Sequence, residues 1–197
     1  MRVISRKLFQ SDPVRCAREM IGCRMTLGEC SGVIVETEAY ASEGDPACHT
    51  WKRSRARDFV SQNPPGTAYV YLNYGMHWLL NFLVKGGEQD GFVLIRALEP
   101  IAGFDVMRER RKRIKTNSIN QLCNGPGKLT QALGITGIHH GCDPLSQDDW
   151  KLFHPMTPVE IIDSTRIGIS QATDRRWRFL LKGSRCVSFP PEKATAS

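Results

Sequence analysis

The chain has 197 residues, 41% of them hydrophobic, which suits one globular domain spanning 1–197 with a sizeable core better than two small ones. Its 27 Lys and Arg against 20 Asp and Glu leave a net charge of +7 and a pI near 9.2, a surplus that suits a polyanionic partner. The first seven residues hold no apolar secretion-signal core and no stretch is long and apolar enough to span a bilayer, so a soluble intracellular protein with no membrane partner is expected.

Ser11-Asp12-Pro13 starts a helix, with Asp12 as the cap, Pro13 at the first position, an apolar stripe of Val14, Ala17, Met20 and Ile21, and Gly22 at its end. Residues 32–40 read as a strand whose period of two puts Glu36, Glu38 and Tyr40 on one face. Residues 41–66, rich in Gly, Pro and charge, read as one long loop. Two β-prone runs over 68–84 meet near Asn73-Tyr74-Gly75 and predict a hairpin with Tyr74 at its turn. A strand from Phe92 to Leu98 carries Arg96 in an otherwise apolar run. Helical composition follows over 103–114, and another helix begins around Leu129 after the turn Asn124-Gly125-Pro126-Gly127. Strands at 166–170, 177–181 and 185–189 complete the chain. The fold class is therefore α+β, with a mostly antiparallel sheet surrounded by helices.

Several chemistries lose support at once. There is no G-x-S-x-G, no G-x-x-x-x-G-K-[ST], no G-x-G-x-x-G and no H-E-x-x-H. Cys16, Cys23, Cys30, Cys48, Cys123, Cys142 and Cys186 form no C-x-x-C pair and no zinc or iron–sulfur spacing, so they read as reduced, mostly buried thiols and no metal is expected. Positive charge gathers in two clusters, Lys52, Arg53, Arg55 and Arg57, and Arg108, Arg110, Arg111, Lys112, Arg113 and Lys115, each of which alone reads more readily as a solvated face or loop.

All four tyrosines, Tyr40, Tyr69, Tyr71 and Tyr74, fall within residues 40–74, beside Glu38 and His49. Cross-strand packing accounts for any one of them, but the set suits a cavity lined by a carboxylate and flat rings. Rings of that kind stack on a nucleobase taken out of its helix, and a carboxylate beside them can deprotonate a water and stabilise positive charge on a sugar. An aromatic side chain at a hairpin tip suits a wedge between base pairs.

The blocks Val35-Glu-Thr-Glu-Ala-Tyr40, Asp45-Pro-Ala-Cys-His49, Gly66-Thr-Ala-Tyr-Val-Tyr71 with Tyr74-Gly-Met-His77, Leu94-Ile-Arg-Ala-Leu-Glu-Pro100 and Asn124-Gly-Pro-Gly-Lys-Leu129 resemble the alkyladenine, or 3-methyladenine, DNA glycosylases, over about residues 13–188. The resemblance implies a curved antiparallel sheet, no cofactor, and double-stranded DNA containing damaged purines as the partner, for a protein expected to be monomeric. It implies that Glu38 is the general base, that Arg96 and the backbone carbonyl of Ile167 hold the attacking water, and that Tyr40, His49 and Tyr71 bind the flipped purine. It further assigns Asn81 to disfavouring the guanine amino group, Tyr74 to intercalation, and Met76 and His77 to the minor groove. With no lysine at a nucleophile position, hydrolysis leaving an abasic site is implied, for alkylated purines and hypoxanthine. Asp58 in place of an asparagine and Ser61-Gln62-Asn63 in place of a more apolar run depart from the pattern. Two other classes fit parts of the sequence, a silent binder of damaged DNA using Tyr74 and the basic clusters, and a metal-dependent nuclease using Glu36, Glu38 and His49.

Overall fold

The computed structural model describes residues 2–112 and 118–190, and the expectations that involve Arg113, Ile114 and Lys115 fall outside them. Its frame is one sheet in the order β3-β4-β5-β2-β1-β6, with β8 also on β2 and β7 on β8, every pairing antiparallel. The strands are β1 (Arg24–Leu27), β2 (Cys30–Ala41), β3 (Ala68–Asn73), β4 (His77–Val84), β5 (Gly91–Ala102), β6 (Trp150–Phe153), β7 (Ile161–Ser164) and β8 (Arg178–Leu181). The helices are α1 (Pro13–Glu19), α2 (His49–Lys52), α3 (Ser54–Gln62), α4 (Phe104–Arg110) and α5 (Pro126–Leu133). The α+β class and the curved antiparallel sheet are as expected.

The long strands β2 and β5 form the spine. Their pairing slips three times, between Ser31 and Gly32, between Ile34 and Glu36 and between Glu36 and Thr37, and the last two leave Val35 on one strand and Arg96 on the other unpaired. Such irregularities re-aim side chains, and here they bring Arg96 against both Glu36 and Glu38. Gly91, opposite Ala41, keeps the two strands close, because a Cβ there would overlap the Tyr40 carbonyl oxygen.

Alternation along the strands separates two faces. Ala68, Val70, Leu80, Phe82, Val84, Val93 and Ile95 point into the main core with Phe9, Trp150 and residues of α1 and α5. Helix α1 starts as expected, with Asp12 accepting from the Arg15 N–H at 2.9 Å. The opposite face carries Tyr69, Leu83 and Phe92, and it is covered by Cys48, Ala56, Phe59 and Val60.

That cover corrects the reading of 41–66 as a loop: α2 and α3 occupy its centre, and Ala56, Phe59 and Val60 have the i, i+3, i+4 spacing of a helix face. Two tail strands are also corrected. Segments 166–170 and 185–189 are irregular, because the backbone N–H groups of Ile167 and Ser188 donate to the buried carboxylates of Glu38 and Glu36 and not to a neighbouring strand. Strands β1, β6 and β7 go beyond the sequence reading, and β5 runs on past Leu98 to Ala102. All seven cysteines are free, and all but Cys142 are buried. Among the described residues no helix is long and apolar enough to cross a membrane.

Candidate active site

On the face away from the main core lies a cleft of about 670 Å³. Its walls come from β3 (Tyr69, Tyr71), β4 (Leu79, Asn81), β5 (Phe92, Leu94, Arg96), the end of β2 (Tyr40), α2 (His49), the start of α5 and the loop at Ile167. The register makes this a continuous surface, since Tyr69 opposes Asn81, Asn81 opposes Leu94, Leu94 opposes Glu38 and Phe92 opposes Tyr40. Opposed residues on antiparallel strands share a face, so residues far apart in sequence converge.

Behind this wall the carboxylate of Glu38 is fully buried, accepts two hydrogen bonds and is ion-paired with Arg96. Its Oε2 accepts from the Tyr40 hydroxyl at 2.7 Å and lies 3.2 Å from Arg96 Nη1, while its Oε1 accepts from the Ile167 N–H at 2.8 Å. A carboxylate has about four lone-pair sites, so the uncommitted capacity lies mainly on Oε1, on the Ile167 side. Arg96 also donates through Nε to Glu36 Oε1 at 3.1 Å. Burial alone would lower the Arg96 pKa, but the charges of Glu38 and Glu36 outweigh it and hold the guanidinium above its usual value. Tyr40 is pushed well above the usual phenol value by burial first and by the Glu38 charge second, so it stays a neutral donor.

Tyr40, His49 and Tyr71 come together in the cleft as expected, with Tyr69 beside them. The His49 ring stands 4.3 Å from that of Tyr71, at 61° to it, and its Nδ1 is 3.1 Å from the Tyr69 hydroxyl. Burial, followed by the charge of Arg53, lowers the His49 pKa to about 4, so the imidazole is neutral at pH 7. Asn81 is buried, and its amide donates to the Tyr69 carbonyl at 3.2 Å, which fixes its orientation on the cleft wall.

The β3–β4 tip borders the cleft through Tyr74 and His77. Tyr74 is 84% exposed and Met76 71%, and the turn is closed by the Met76 N–H on the Asn73 carbonyl at 3.0 Å. Tyr74 and Gly75 have φ of +49° and +68°, the left-handed region. A tyrosine there costs roughly 1–2 kcal/mol more than glycine would, and its side chain recovers nothing from burial. Across the cleft, Gly127 lets α5 approach the tip, since a Cβ would meet His77 at 2.9 Å. Arg111 and Lys128 line the same side, and Lys52, Arg53, Arg55 and Arg57 are exposed on the α2–α3 segment that follows His49.

The sequence reading missed a second ring of residues. Asp45 takes a bidentate pair from Arg166 at 2.6 and 2.9 Å, and the Arg166 guanidinium lies 4.8 Å from the Tyr40 ring and 5.1 Å from that of Trp177. Glu36 accepts from Arg178 at 3.0 Å and from the hydroxyl and N–H of Ser188 at 2.8 and 2.6 Å. The available signal was an arginine beside apolar residues in two tail segments, Arg166 before Ile167 and Arg178 between Trp177 and Phe179, which need buried carboxylates if they fold inward. Glu36 and Glu38 are thus committed to guanidinium, hydroxyl and amide donors, a setting unlike the carboxylate cluster of the nuclease reading.

A methylpurine-DNA glycosylase family profile matches residues 7–185. A protein of Rhodopseudomonas palustris (strain HaA2) named "Putative 3-methyladenine DNA glycosylase" is 42% identical over 187 residues, covering 95% of this chain and 90% of its own. Proteins of the same name from Agrobacterium fabrum, 42% identical over 192 residues, and Chlorobaculum tepidum, 40% identical over 204, cover 96% and 98% of this chain and 95% and 96% of their own. The matched span contains the buried glutamate, the aromatic cleft and the hairpin tip alike, and the chain belongs to the methylpurine-DNA glycosylase family, hydrolases of N-glycosyl bonds.

Proposed function

We propose that this DNA glycosylase takes a damaged purine, turned out of double-stranded DNA, into the aromatic cleft and hydrolyses its bond to the sugar, leaving an abasic site. The observation that carries the reading is the buried carboxylate of Glu38 behind a cleft lined by Tyr40, His49 and Tyr71. These rings suit stacking on a purine and hydrogen bonding to its edge. The held amide of Asn81 is suited to rejecting the extra amino group of guanine. Tyr74, strained and exposed, is suited to filling the space that the base leaves, with Met76 and His77 beside it in the minor groove.

In this reading a water bonds to the free capacity of Glu38 Oε1, with Arg96 and the Ile167 carbonyl as its other partners. Glu38 takes a proton from the water as its oxygen bonds to C1′ of the sugar. The bond from C1′ to the purine nitrogen breaks, and its electron pair goes to the departing base. A methylated purine already carries positive charge and leaves as a neutral molecule, so the enzyme supplies mainly the water and a negative charge facing the sugar as it becomes positive. Lys128 lines the cleft but donates to Asn124 at 2.9 Å, and the reading includes no strand cleavage. The substrate range extends from 3-methyladenine to hypoxanthine, and the protein acts as a monomer in the compartment that holds the DNA.

Incubation with methylated duplex DNA tests this. Free 3-methyladenine should be released in the presence of a chelator, and the strands should break only after alkali. Strand breaks without alkali, or no released base, would contradict the proposal.

A further inference from the structure

Glu36 is a buried acid that the proposed hydrolysis does not use, and it is among the most heavily bonded groups in the molecule. It is 0% exposed and accepts from Arg96 Nε, Arg178 Nη1, the Ser188 hydroxyl and the Ser188 N–H, at 2.6 to 3.1 Å. Arg96 is thereby shared, with Nε on Glu36, Nη1 on Glu38 and Nη2 on the Ser188 hydroxyl at 3.3 Å. Two of the register slips in the β2–β5 pairing flank Glu36 and leave Arg96 outside the ladder, so backbone and side chains converge on this sharing.

We propose that Glu36 is a positioning residue that acts on Glu38 through Arg96, fixing the guanidinium plane and drawing off part of its charge so that Glu38 stays basic enough to take a proton from water. A buried carboxylate facing an undivided guanidinium is held in its charged form more strongly, and its pKa falls. A weaker base transfers the proton less readily, because proton-transfer rates follow basicity. With Glu36 in place, the two carboxylates share Arg96 while Arg178 pairs with Glu36, so Glu38 has no guanidinium to itself. The other groups facing Glu38 do not replace this balance. Tyr40 and the Ile167 N–H are neutral donors, Arg166 is engaged by Asp45, and Tyr71 is held un-ionised by burial.

This inference rests on Glu38 being the base, so Glu38→Gln is assayed in parallel. The measurement is the pH dependence of 3-methyladenine release from methylated duplex DNA under single-turnover conditions, where the substrate's positive charge does not titrate. For Glu36→Gln the acid limb should move down by about one pH unit and the plateau should fall about 10- to 100-fold, with binding to an abasic duplex unchanged. Glu36→Asp, which keeps the charge, should leave the limb in place and lose less rate. If Glu36→Gln does not fold because Arg178 is left uncompensated, Glu36→Gln with Arg178→Gln keeps the net charge and should still move the limb downward. A limb that stays put in every Glu36 variant, while Glu38→Gln is inactive, overturns the role of Glu36 alone. An active Glu38→Gln overturns the reading beneath it.

Discussion

The two ends of the cleft are built in opposite ways. At the Glu38 end every charge is buried and divided among several partners, with Glu36, Arg96, Arg178, Asp45 and Arg166 all under a tenth exposed. At the hairpin tip Tyr74 and Met76 stand in solvent on a left-handed turn, with little of their surface buried. Substitution at the first end disturbs chemistry and fold together, because a buried charge that loses its partner keeps its desolvation penalty. At the tip the two separate, since the side chain contributes little to the folded state, and strained residues of this kind cluster at functional sites.

Asp45→Asn should show the greatest loss of stability. It leaves Arg166 as a buried cation without its bidentate partner, at a cost of about 3–5 kcal/mol. It also loosens the loop that holds the Ile167 N–H on Glu38, so both the midpoint of denaturant unfolding and the excision rate should fall. A variant as stable as the parent would mean that this end of the cleft is more open to water than its burial indicates.

Tyr74→Ser tests the opposite end. Stability should change by no more than about 0.5 kcal/mol, as is usual for exposed positions. Excision should fall about tenfold or more on well-paired lesions and least on mismatched or single-stranded ones, since the few kcal/mol of unstacking then have no side chain to hold the vacancy. A large drop in melting temperature with uniform loss on all substrates would place Tyr74 among the core residues.

Salt sharpens the contrast from outside the cleft. Each phosphate neutralised by groups such as Lys52, Arg53, Arg111 or Lys128 should contribute about −0.9 to the slope of log affinity against log salt. Replacing one of them should make the slope shallower by about that amount without changing base release at saturation, and a duplex affinity that is flat with salt would contradict an electrostatic footprint.

At neutral pH the smallest expected effect belongs to His49, whose contribution changes only as the pH falls. Its pKa is about 4 in the folded chain and near 6.5 when unfolded, so between these values the unfolded state binds more protons. Stability from this residue is therefore present above pH 6.5 and is lost as pH falls toward 4. His49→Gln should flatten that part of the stability profile, whereas an unchanged profile would show that the imidazole is not shielded.

What was legible in the sequence follows the range of the forces involved. The β3–β4 hairpin and the shared face of Glu36, Glu38 and Tyr40 are local, set by alternation and by Asn73-Tyr74-Gly75, and they stand where the sequence places them. The α2–α3 cover escaped because its apolar positions, Ala56, Phe59 and Val60, are few and set among charges. Strands β1, β6 and β7 have only four residues each, too short for alternation to register. The tail was misread because its backbone donors go to carboxylates 129 and 152 residues away, a partnership that no local pattern encodes. The roles proposed for Glu38, Tyr40, His49, Tyr71 and Tyr74 draw on the tyrosine cluster, the hairpin tip and the family motifs, whereas the partnerships of Arg166, Arg178 and Ser188 required the fold.

In the proposed mechanism Glu38 does the chemistry while the rest of the cleft selects and holds the base. Single-turnover release of 3-methyladenine by Glu38→Gln, measured beside its affinity for the same duplex, tests that most directly. The amide keeps the shape of the carboxylate but loses its basicity and charge, removing two contributions each worth at least about 100-fold. Near-normal binding is expected, with excision reduced by about four orders of magnitude. Near-normal turnover by Glu38→Gln would contradict the mechanism.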